Sequence, residues 1–264
     1  MLYFVATPIG NLKDITLRAL ETLKDVDIIA CEDTRKTQIL LNHYMIKKRL
    51  IMYHKNNEKV SANGIIGLLK SGKNVAVVSD AGMPVISDPG SALIAALQEH
   101  NLSYTIIPGA NAGLSALVLS GLDAQKFTFV GFLPNKNKDK KLLLNSLKSY
   151  QTTLIFYVAP HDVEKVLDDC YSVFGARKAC LVKEITKVFE TRCDFTLGET
   201  PQIQIKGEFV LIIQGASASQ NSLEQLSLEQ QIEFYVQSGM DKKTALKAVA
   251  KSNKIKNIYT FLKK

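Results

Sequence analysis

The stretch Ser79-Asp-Ala-Gly-Met-Pro-Val-Ile-Ser-Asp-Pro-Gly90 decides how the chain is organised. It follows an apolar run over residues 74–79 that predicts a fully buried strand, and it precedes an apolar run that predicts a helix. Asp88 is placed to cap that helix, and Pro89 fits its first turn. Small residues after a strand that ends in Asp80 are typical of the edge where open α/β sheets hold ligands, although an ordinary βα turn also explains the stretch.

The composition bounds the class of protein. A chain of 264 residues, 46% of them apolar and 22% charged, allows one large or two ordinary globular domains. No apolar run is long enough to span a bilayer, and the N-terminal run over residues 1–6 lacks the basic start of a signal peptide, so we expect a cytoplasmic protein. Four Cys without a C-x-x-C pair and four scattered His predict neither structural zinc nor a Cys–His nucleophile pair.

Positive charge is gathered in three segments of a chain whose net charge is +8. Residues 240–264 hold eight Lys and one Asp, residues 131–150 hold five Lys and one Asp, and residues 45–60 hold four Lys, one Arg and one Glu. Such clusters indicate a polyanionic partner, but solvated Lys faces explain them equally well.

The first 120 residues alternate continuous apolar strands with helices, the pattern of a parallel sheet covered on both faces. Strands are predicted at residues 2–6, 26–31, 50–53, 74–79 and 103–107, and helices at 16–24, 34–43, 61–71, 87–99 and 112–120.

The rest of the chain has more adjacent strands, which predicts a mixed sheet, and then a helical tail. Strands are predicted at residues 126–130, 152–158, 179–183, 187–196 and 208–214, and helices at 142–150, 161–174, 242–251 and 254–262. The expected caps of the tail are capping boxes at Ser222 and Ser227 and a cap at Asp241. A polar, Lys-rich segment at 135–141 and a small-residue linker at 216–221 are the expected boundaries. The predicted fold is therefore α/β, with domains at 1–134 and 135–216 and a basic helical extension at 217–264.

Three turns rich in Pro, Gly and small residues follow the first, fourth and fifth strands. They are Thr7-Pro-Ile-Gly10, the stretch over 79–90, and Pro108-Gly-Ala-Asn-Ala112. None is a G-x-G-x-x-G or Walker loop, so the usual dinucleotide and nucleoside triphosphate sites are not indicated. Because the carboxyl ends of parallel strands share one edge, we expect a concave site of backbone groups there.

Charged residues follow the second strand in Cys31-Glu-Asp-Thr-Arg35. Charges at the end of a buried strand are costly unless they are paired or contact a ligand. Either these groups belong to the site, or Asp33 caps the next helix and Glu32 pairs with Arg35.

In this order V-A-T-P-I-G-N-L, C-E-D-T-R, the stretch over 79–90 and P-G-A-N-A resemble the tetrapyrrole-methylase superfamily, and within it the branch that methylates small-subunit ribosomal RNA. Lys183-Glu-Ile-Thr-Lys187, followed by Glu190, resembles that branch too. The resemblance covers residue 1 to about 215. It implies two domains of the tetrapyrrole-methylase type around S-adenosyl-L-methionine, a homodimer, and methylation of the ribose 2′-hydroxyl of cytidine 1402 in the decoding centre of 16S rRNA in the small ribosomal subunit.

The resemblance also implies which residues form the site. The cofactor contacts expected from it are Pro8, Gly10, Asp80, Ala81, Gly82, Met83, Pro84, Ser87, Asp88, Pro108, Gly109, Ala110, Ala112 and Phe132. The candidates for a general base or charge stabiliser are Glu32, Asp33, Arg35, Lys183 and Glu184, of which Glu32, Arg35, Lys183 and Glu184 are the predicted catalytic residues, with no metal ligand. Two alternatives stay open at this point, namely that Phe132 is simple core and that Glu184 only pairs with Lys187.

Two other functions fit the same sequence. One is a small-molecule methyltransferase acting on a tetrapyrrole or precorrin, which is also polyanionic. The other is a ribosome-binding factor whose cofactor cleft has degenerated. The basic C-terminal helices favour RNA, because a small substrate needs no remote lysines.

Overall fold

The computed structural model describes residues 1–54, 58–217, 227–237, 239–253 and 255. The chain divides into two compact units, Met1–Gly215 and Ala216–Lys264. Among the described helices, none is both long enough and apolar enough to cross a membrane.

The first unit opens with a five-stranded parallel sheet. Its strands are β1 (Leu2–Val5), β2 (Ile28–Cys31), β3 (Arg49–Met52), β4 (Val75–Val78) and β5 (Tyr104–Ile107). Their order is β3-β2-β4-β1-β5, and all neighbours are parallel, as predicted. The central strands β2 and β4 are buried along their whole length, which explains their uninterrupted apolar sequences.

Helices cover both faces of this sheet. They are α1 (Leu17–Asp25), α2 (Thr34–His43), α3 (Glu58–Lys70) and α4 (Ser91–Glu99). Leu23 of α1 and Leu41 of α2 pack with Ile29 on one face. Ile65 of α3 and Leu93 of α4 pack on the other face.

The second sheet of this unit is mixed, as predicted. Its strands are β6 (Phe127–Phe132), β7 (Thr153–Val158), β8 (Lys178–Lys183), β9 (Thr191–Thr196) and β10 (Phe209–Ile213). The order is β6-β7-β10-β8-β9, with β6 parallel to β7 and the other pairs antiparallel.

Helix α5 (Ala112–Ser120) joins the two sheets. It follows β5 of the first sheet, yet its Ala116 and Leu117 pack in one cluster with Ile155 of β7 and Ile212 of β10. The opposite face of the second sheet is covered by α6 (Asn137–Leu147) and α7 (Val163–Phe174), the latter preceded by a 3₁₀ turn over Pro160–Asp162. The two sheets therefore share a core, and the turns at the edge of the first sheet face the second.

Three elements begin four or five residues away from their predicted starts. Helix α6 begins at Asn137, inside the segment expected to be a loop, because Lys140 turns inward onto Asp169 and the lysine run becomes its first turn. Strand β9 begins only at Thr191, since residues 184–190 form turns in which the Lys187 N–H donates to the Glu184 carbonyl and the Glu190 N–H donates to the Lys187 carbonyl. Helix α4 begins after residue 90 rather than at 87.

The second unit holds two described helices, α8 (Leu228–Gln237) and α9 (Lys242–Ser252). Ile232, Leu246 and Val249 form its buried cluster. Ser227 and Gln230 make the reciprocal bonds of the predicted capping box, and Asp241 caps α9 as predicted. The predicted box at Ser222 and the helix over 254–262 lie outside the described residues, and the domain boundary at 134 stays a prediction.

Candidate functional site

The three turns at the carboxyl edge of the first sheet converge, as predicted. Thr7 and Gly82 pair as in a short antiparallel bridge, with the Thr7 N–H donating to the Gly82 carbonyl at 2.9 Å and the Gly82 N–H donating to the Thr7 carbonyl at 3.0 Å. Gly82 has a φ of +79°, and a Cβ there would lie 3.1 Å from Ile9 Cγ2 and 3.6 Å from the Ala110 carbonyl oxygen. A glycine is therefore required where the first and second turns meet beside the third.

A cavity of about 390 Å³ lies between this edge and the second sheet, within the usual size of small-molecule sites. Eight predicted cofactor residues line it: Asp80, Ala81, Gly82, Met83, Ser87, Asp88, Ala112 and Phe132. The other lining residues were not predicted, and most of them lie in or directly beside strands of the second sheet: Ile9, Ile86, Asn111, Tyr157, Val158, Ala159, Pro160, Val182, Ile185, Glu208, Phe209 and Val210.

The remaining predicted cofactor residues, Pro8, Gly10, Pro84, Pro108, Gly109 and Ala110, do not line this cavity. Gly10 lies against the Lys187 side chain, and Gly109 lies against Ala6, so both give room for close packing behind the rim. Pro84 lines a small neighbouring recess with Glu32 and Asp88.

Asp80 joins the cavity to a second, open recess. That recess is lined by Glu32, Asp33, Thr34, Arg35, Met52, His54 and Asp80. The Asp80 carboxylate accepts a hydrogen bond from the Asp33 N–H at 3.1 Å and an ion-paired bond from Lys36 Nζ at 2.7 Å. Its two oxygens are therefore held in place from the start of α2.

The charged residues after β2 pair differently from the alternative considered for them. Arg35 binds Asp33 in a fork, with Nε at 3.1 Å from Oδ1 and Nη2 at 2.7 Å from Oδ2, so Arg35 pairs with Asp33 and not with Glu32. The Asp33 carboxylate also accepts from the Arg35 N–H and caps α2, as predicted. The Arg35 side-chain and backbone donors lower the pKa of Asp33 to about 2. Glu32 therefore lines the recess without being paired to Arg35.

Asp88 does not cap a helix, contrary to the prediction. Gly90, at a φ of 149°, occupies the cap position of α4 without a side-chain bond, while Asp88 is half-buried and lines the cavity. Burial raises the pKa of Asp88 to about 6, and the neighbouring Glu32 and Asp80 carboxylates add to the rise. Val85 and Ser87 on the same loop adopt positive φ angles of 74° and 69°, a strained backbone for residues with a Cβ.

Tyr157 is the main polar group that the second sheet adds to the cavity. Its hydroxyl oxygen accepts a hydrogen bond from the Gly113 N–H at 3.3 Å, and its ring packs edge-on against Phe129 and Phe132. Burial raises the pKa of the Tyr157 hydroxyl, which therefore stays protonated at neutral pH. Phe132 is 59% exposed, so it walls the cavity and is not core. The one sequence signal for Tyr157 was its hydroxyl within an otherwise apolar strand.

Lys183 ends β8 of the second sheet and Glu184 follows it, whereas Glu32 and Arg35 follow β2 of the first sheet. Lys183 is buried at the end of β8. Glu184 Oε1 accepts from Lys187 Nζ at 3.0 Å, which is the pair left open above, and Lys187 also binds Glu208 Oε2 at 2.8 Å. Glu32 and Arg35 line the open recess, whereas Lys183 and Glu184 line neither the recess nor the cavity, although their neighbours Val182 and Ile185 line the cavity.

Within the described parts of the chain, no group of three or more His, Cys, Asp or Glu side chains is arranged to hold a metal ion. The four cysteines are free thiols, and three of them are buried.

Comparison with known proteins places these features in a family. The family model for Tetrapyrrole (Corrin/Porphyrin) Methylases matches residues 1–201. Proteins named "Ribosomal RNA small subunit methyltransferase I" from Halalkalibacterium halodurans and Bacillus subtilis are 43% and 42% identical to this chain, over 94% and 95% of it and 89% of each relative. A diphthine synthase structure superposes with a TM-score of 0.64 at 16% identity, covering 81% of this chain and 89% of that one, which supports the fold alone.

Proposed function

The chain belongs to the tetrapyrrole methylase family, in the group named Ribosomal RNA small subunit methyltransferase I, and on this premise we propose that it methylates small-subunit ribosomal RNA with S-adenosyl-L-methionine. The observation that carries the proposal is the convergence of the three family turns on one cavity that opens, at Asp80, into a recess with charged walls. The finer part of the proposal is the acceptor, the ribose 2′-hydroxyl of cytidine 1402 in the decoding centre.

The residues of the cavity suit this cofactor. Gly82 has no side chain, which leaves room at the rim of the cavity. Met83, Phe209 and Val210 form part of its apolar wall. Asp80 and Asp88 place carboxylates beside a ligand that carries a sulfonium and an ammonium group. When bound, the cofactor supplies an electrophilic methyl group.

The chain's own residues then have separate tasks. Asp80, held by the Asp33 N–H and by Lys36, would accept a hydrogen bond from the ammonium group of the cofactor. The rings of Phe132 and Tyr157 keep water from the apolar side of the cavity. Such fixed positioning of a hydroxyl and a methyl donor supplies a large part of the rate of group transfer.

The open recess is the proposed entry for the ribose. Glu32 faces it and can accept the hydroxyl proton, and Arg35, whose side chain is 88% exposed, can reach a phosphate while bound to Asp33. Lys183 and Glu184 line neither the cavity nor the open recess, so their predicted catalytic role rests only on the motif that resembles the family.

Exposed lysines provide the proposed RNA contacts. Helix α9 exposes Lys242, Lys243, Lys247 and Lys251. Lys136, Lys138 and Lys141 are exposed at the start of α6, whereas Lys140 is buried against Asp169 and is not available. Phosphate contacts of this kind position RNA without reading its bases. Assembly as a homodimer and a cytoplasmic location complete the proposal.

The test is transfer of labelled methyl groups to small ribosomal subunits from cells that lack this protein. Subunits from cells that contain it are the matched control, since their site is already methylated. We expect label only on the first preparation and resistance to alkaline cleavage at one decoding-centre cytidine. Label on a porphyrinogen instead of RNA would establish the small-molecule alternative. RNA binding without calorimetric binding of the cofactor would establish the ribosome-binding factor.

A further inference from the structure

Two apolar side chains project from the loop over residues 184–190, between β8 and β9. Val188 is 93% exposed and Phe189 is 74% exposed. Glu190, Thr191 and Arg192, which follow them, are exposed and polar. Two adjacent, largely exposed apolar side chains bury little surface within this chain, so they are free to contact a partner.

The loop that carries them is held rigidly at its base. Lys187 Nζ binds both Glu184 and Glu208, and Glu184 Oε1 also accepts from the Glu208 N–H at 2.8 Å. The Thr186 N–H donates to Glu190 Oε2 at 2.6 Å, and the Glu190 N–H donates to the Lys187 carbonyl at 3.1 Å. An exposed tip on such a base keeps its position, which a mobile loop would not.

Two glycines give the base its room. A Cβ at Gly207 would lie 2.5 Å from Glu184 Oε1, and a Cβ at Gly10 would lie 2.6 Å from Lys187 Cγ. Gly10 belongs to the first turn of the first sheet, so the loop is braced against the rim of the cavity as well as against its own sheet. Ile185 and Glu208 line the cavity itself. Residues at the base of the loop therefore belong to the cavity wall, and Val188 and Phe189 follow Ile185 within four residues of the chain.

We propose that Phe189, with Val188 beside it, is a stacking platform for an unpaired nucleobase of the RNA next to the nucleotide whose ribose enters the site. The proposal rests on the proposed function and names a residue that recognises its substrate. A nucleotide in folded RNA reaches an enzyme only after it leaves its stack, and exposed bases are commonly held on aromatic side chains. A second copy of the chain fits the tip less well, because two side chains among polar neighbours are far smaller than a stable protein interface.

The sequence contains no Trp, so Phe189→Trp introduces a single fluorescent reporter at the tip. The probe is a synthetic hairpin of the decoding-centre RNA, with binding followed independently by filter retention. We expect saturating RNA to quench the fluorescence of the Phe189→Trp variant at least twofold. The control Leu17→Trp, at a 79% exposed position on α1, should change little. Unchanged emission of the tip variant with RNA bound would overturn the proposal.

Kinetics supply the second readout. Phe189→Ala should raise KM for unmethylated small subunits roughly tenfold, with a smaller change in kcat. Phe189→Tyr should keep the KM of the parent protein, because Tyr retains the aromatic ring on which a base stacks. A KM equal to that of the parent protein would contradict the proposal. So would conversion of a dimer to a monomer by Phe189→Ala in sedimentation, since the tip would then contact a second copy. Quenching by RNA without any methyl transfer by the parent protein would instead refute the proposed function and leave the stacking intact.

Discussion

Lys36 Nζ lies 2.7 Å from Asp80 Oδ2, at the point where the cavity and the open recess meet. The carboxylate comes from the end of β4 and the ammonium from the first turn of α2, so the pair ties two neighbouring strand ends together. Asp80 is the group that a cationic ligand would meet in the cavity, and Lys36 is its present partner. The two residues therefore predict opposite effects on ligand affinity.

Asp80→Ala should weaken binding of S-adenosyl-L-methionine roughly 10- to 100-fold, because one hydrogen bond to a charged group is lost. Lys36→Met should leave the affinity unchanged or raise it, since it removes a competing cation. Isothermal titration calorimetry measures both. Lys242→Ala on α9 of the second unit is the control, expected to weaken RNA binding alone. Equal losses in the Asp80 and Lys242 variants would refute the separation of the two regions.

Gly82→Ala should lower the free energy of unfolding by about 1–3 kcal/mol, because its φ of +79° disfavours a Cβ and Ile9 lies within 3.1 Å. The matched control is Gly64→Ala in α3, where an added Cβ would meet nothing within 4 Å. This variant should raise the free energy of unfolding by about 0.5–1 kcal/mol. Thermal unfolding monitored by circular dichroism compares them. A neutral Gly82→Ala would show that the rim tolerates a side chain and that the bridge to Thr7 is not restrictive.

Local chemistry explains what the sequence predicted well. Asp33 caps α2 because a short carboxylate before a helical run satisfies free N–H groups, whatever the surrounding fold. Asp88 fits the same rule in its local sequence, but it lines a cavity between two sheets and leaves the cap position to Gly90. The difference is set by packing between segments far apart in the chain, which a local rule does not contain.

The same limit explains the missed half of the site. Tyr157 and Glu208 reach the cavity because α5 packs on the second sheet, an arrangement that strand order alone does not reveal. Lys140 did carry a signal, since Lys140, Leu144 and Leu147 stand at the i, i+4 and i+7 spacing of a buried helical stripe. Because the segment is rich in lysine, it was predicted to be a polar boundary and its helical spacing was not recognised.

Asp88→Asn should stabilise the protein at neutral pH and have no effect near pH 4. The folded-state pKa of about 6 lies above the usual 3.8, so the folded state holds the proton more tightly. Stability of the parent protein therefore falls as pH rises from about 4 to 6, and the cost of the half-buried charge stays complete above that window. The gain in the variant at pH 7.5 should be about 1–2 kcal/mol. Urea unfolding at both pH values measures it, and an equal gain at pH 4 would assign the effect to something other than charge.

Lys140→Met should separate stability from RNA binding in the lysine-rich start of α6. Lys140 Nζ lies 2.8 Å from Asp169 Oδ2, with only 7% of the lysine side chain exposed, so loss of the charge leaves the carboxylate without its partner. We expect a loss of about 1–3 kcal/mol in the free energy of unfolding, below the cost of a fully buried pair because Asp169 is 27% exposed. The salt dependence of RNA affinity should stay unchanged in this variant.

Lys141→Ala, one residue further along and exposed, should show the reverse, with stability kept and the slope of log affinity against log salt reduced by about one. Identical slopes in the two variants would exclude Lys141 as a phosphate contact.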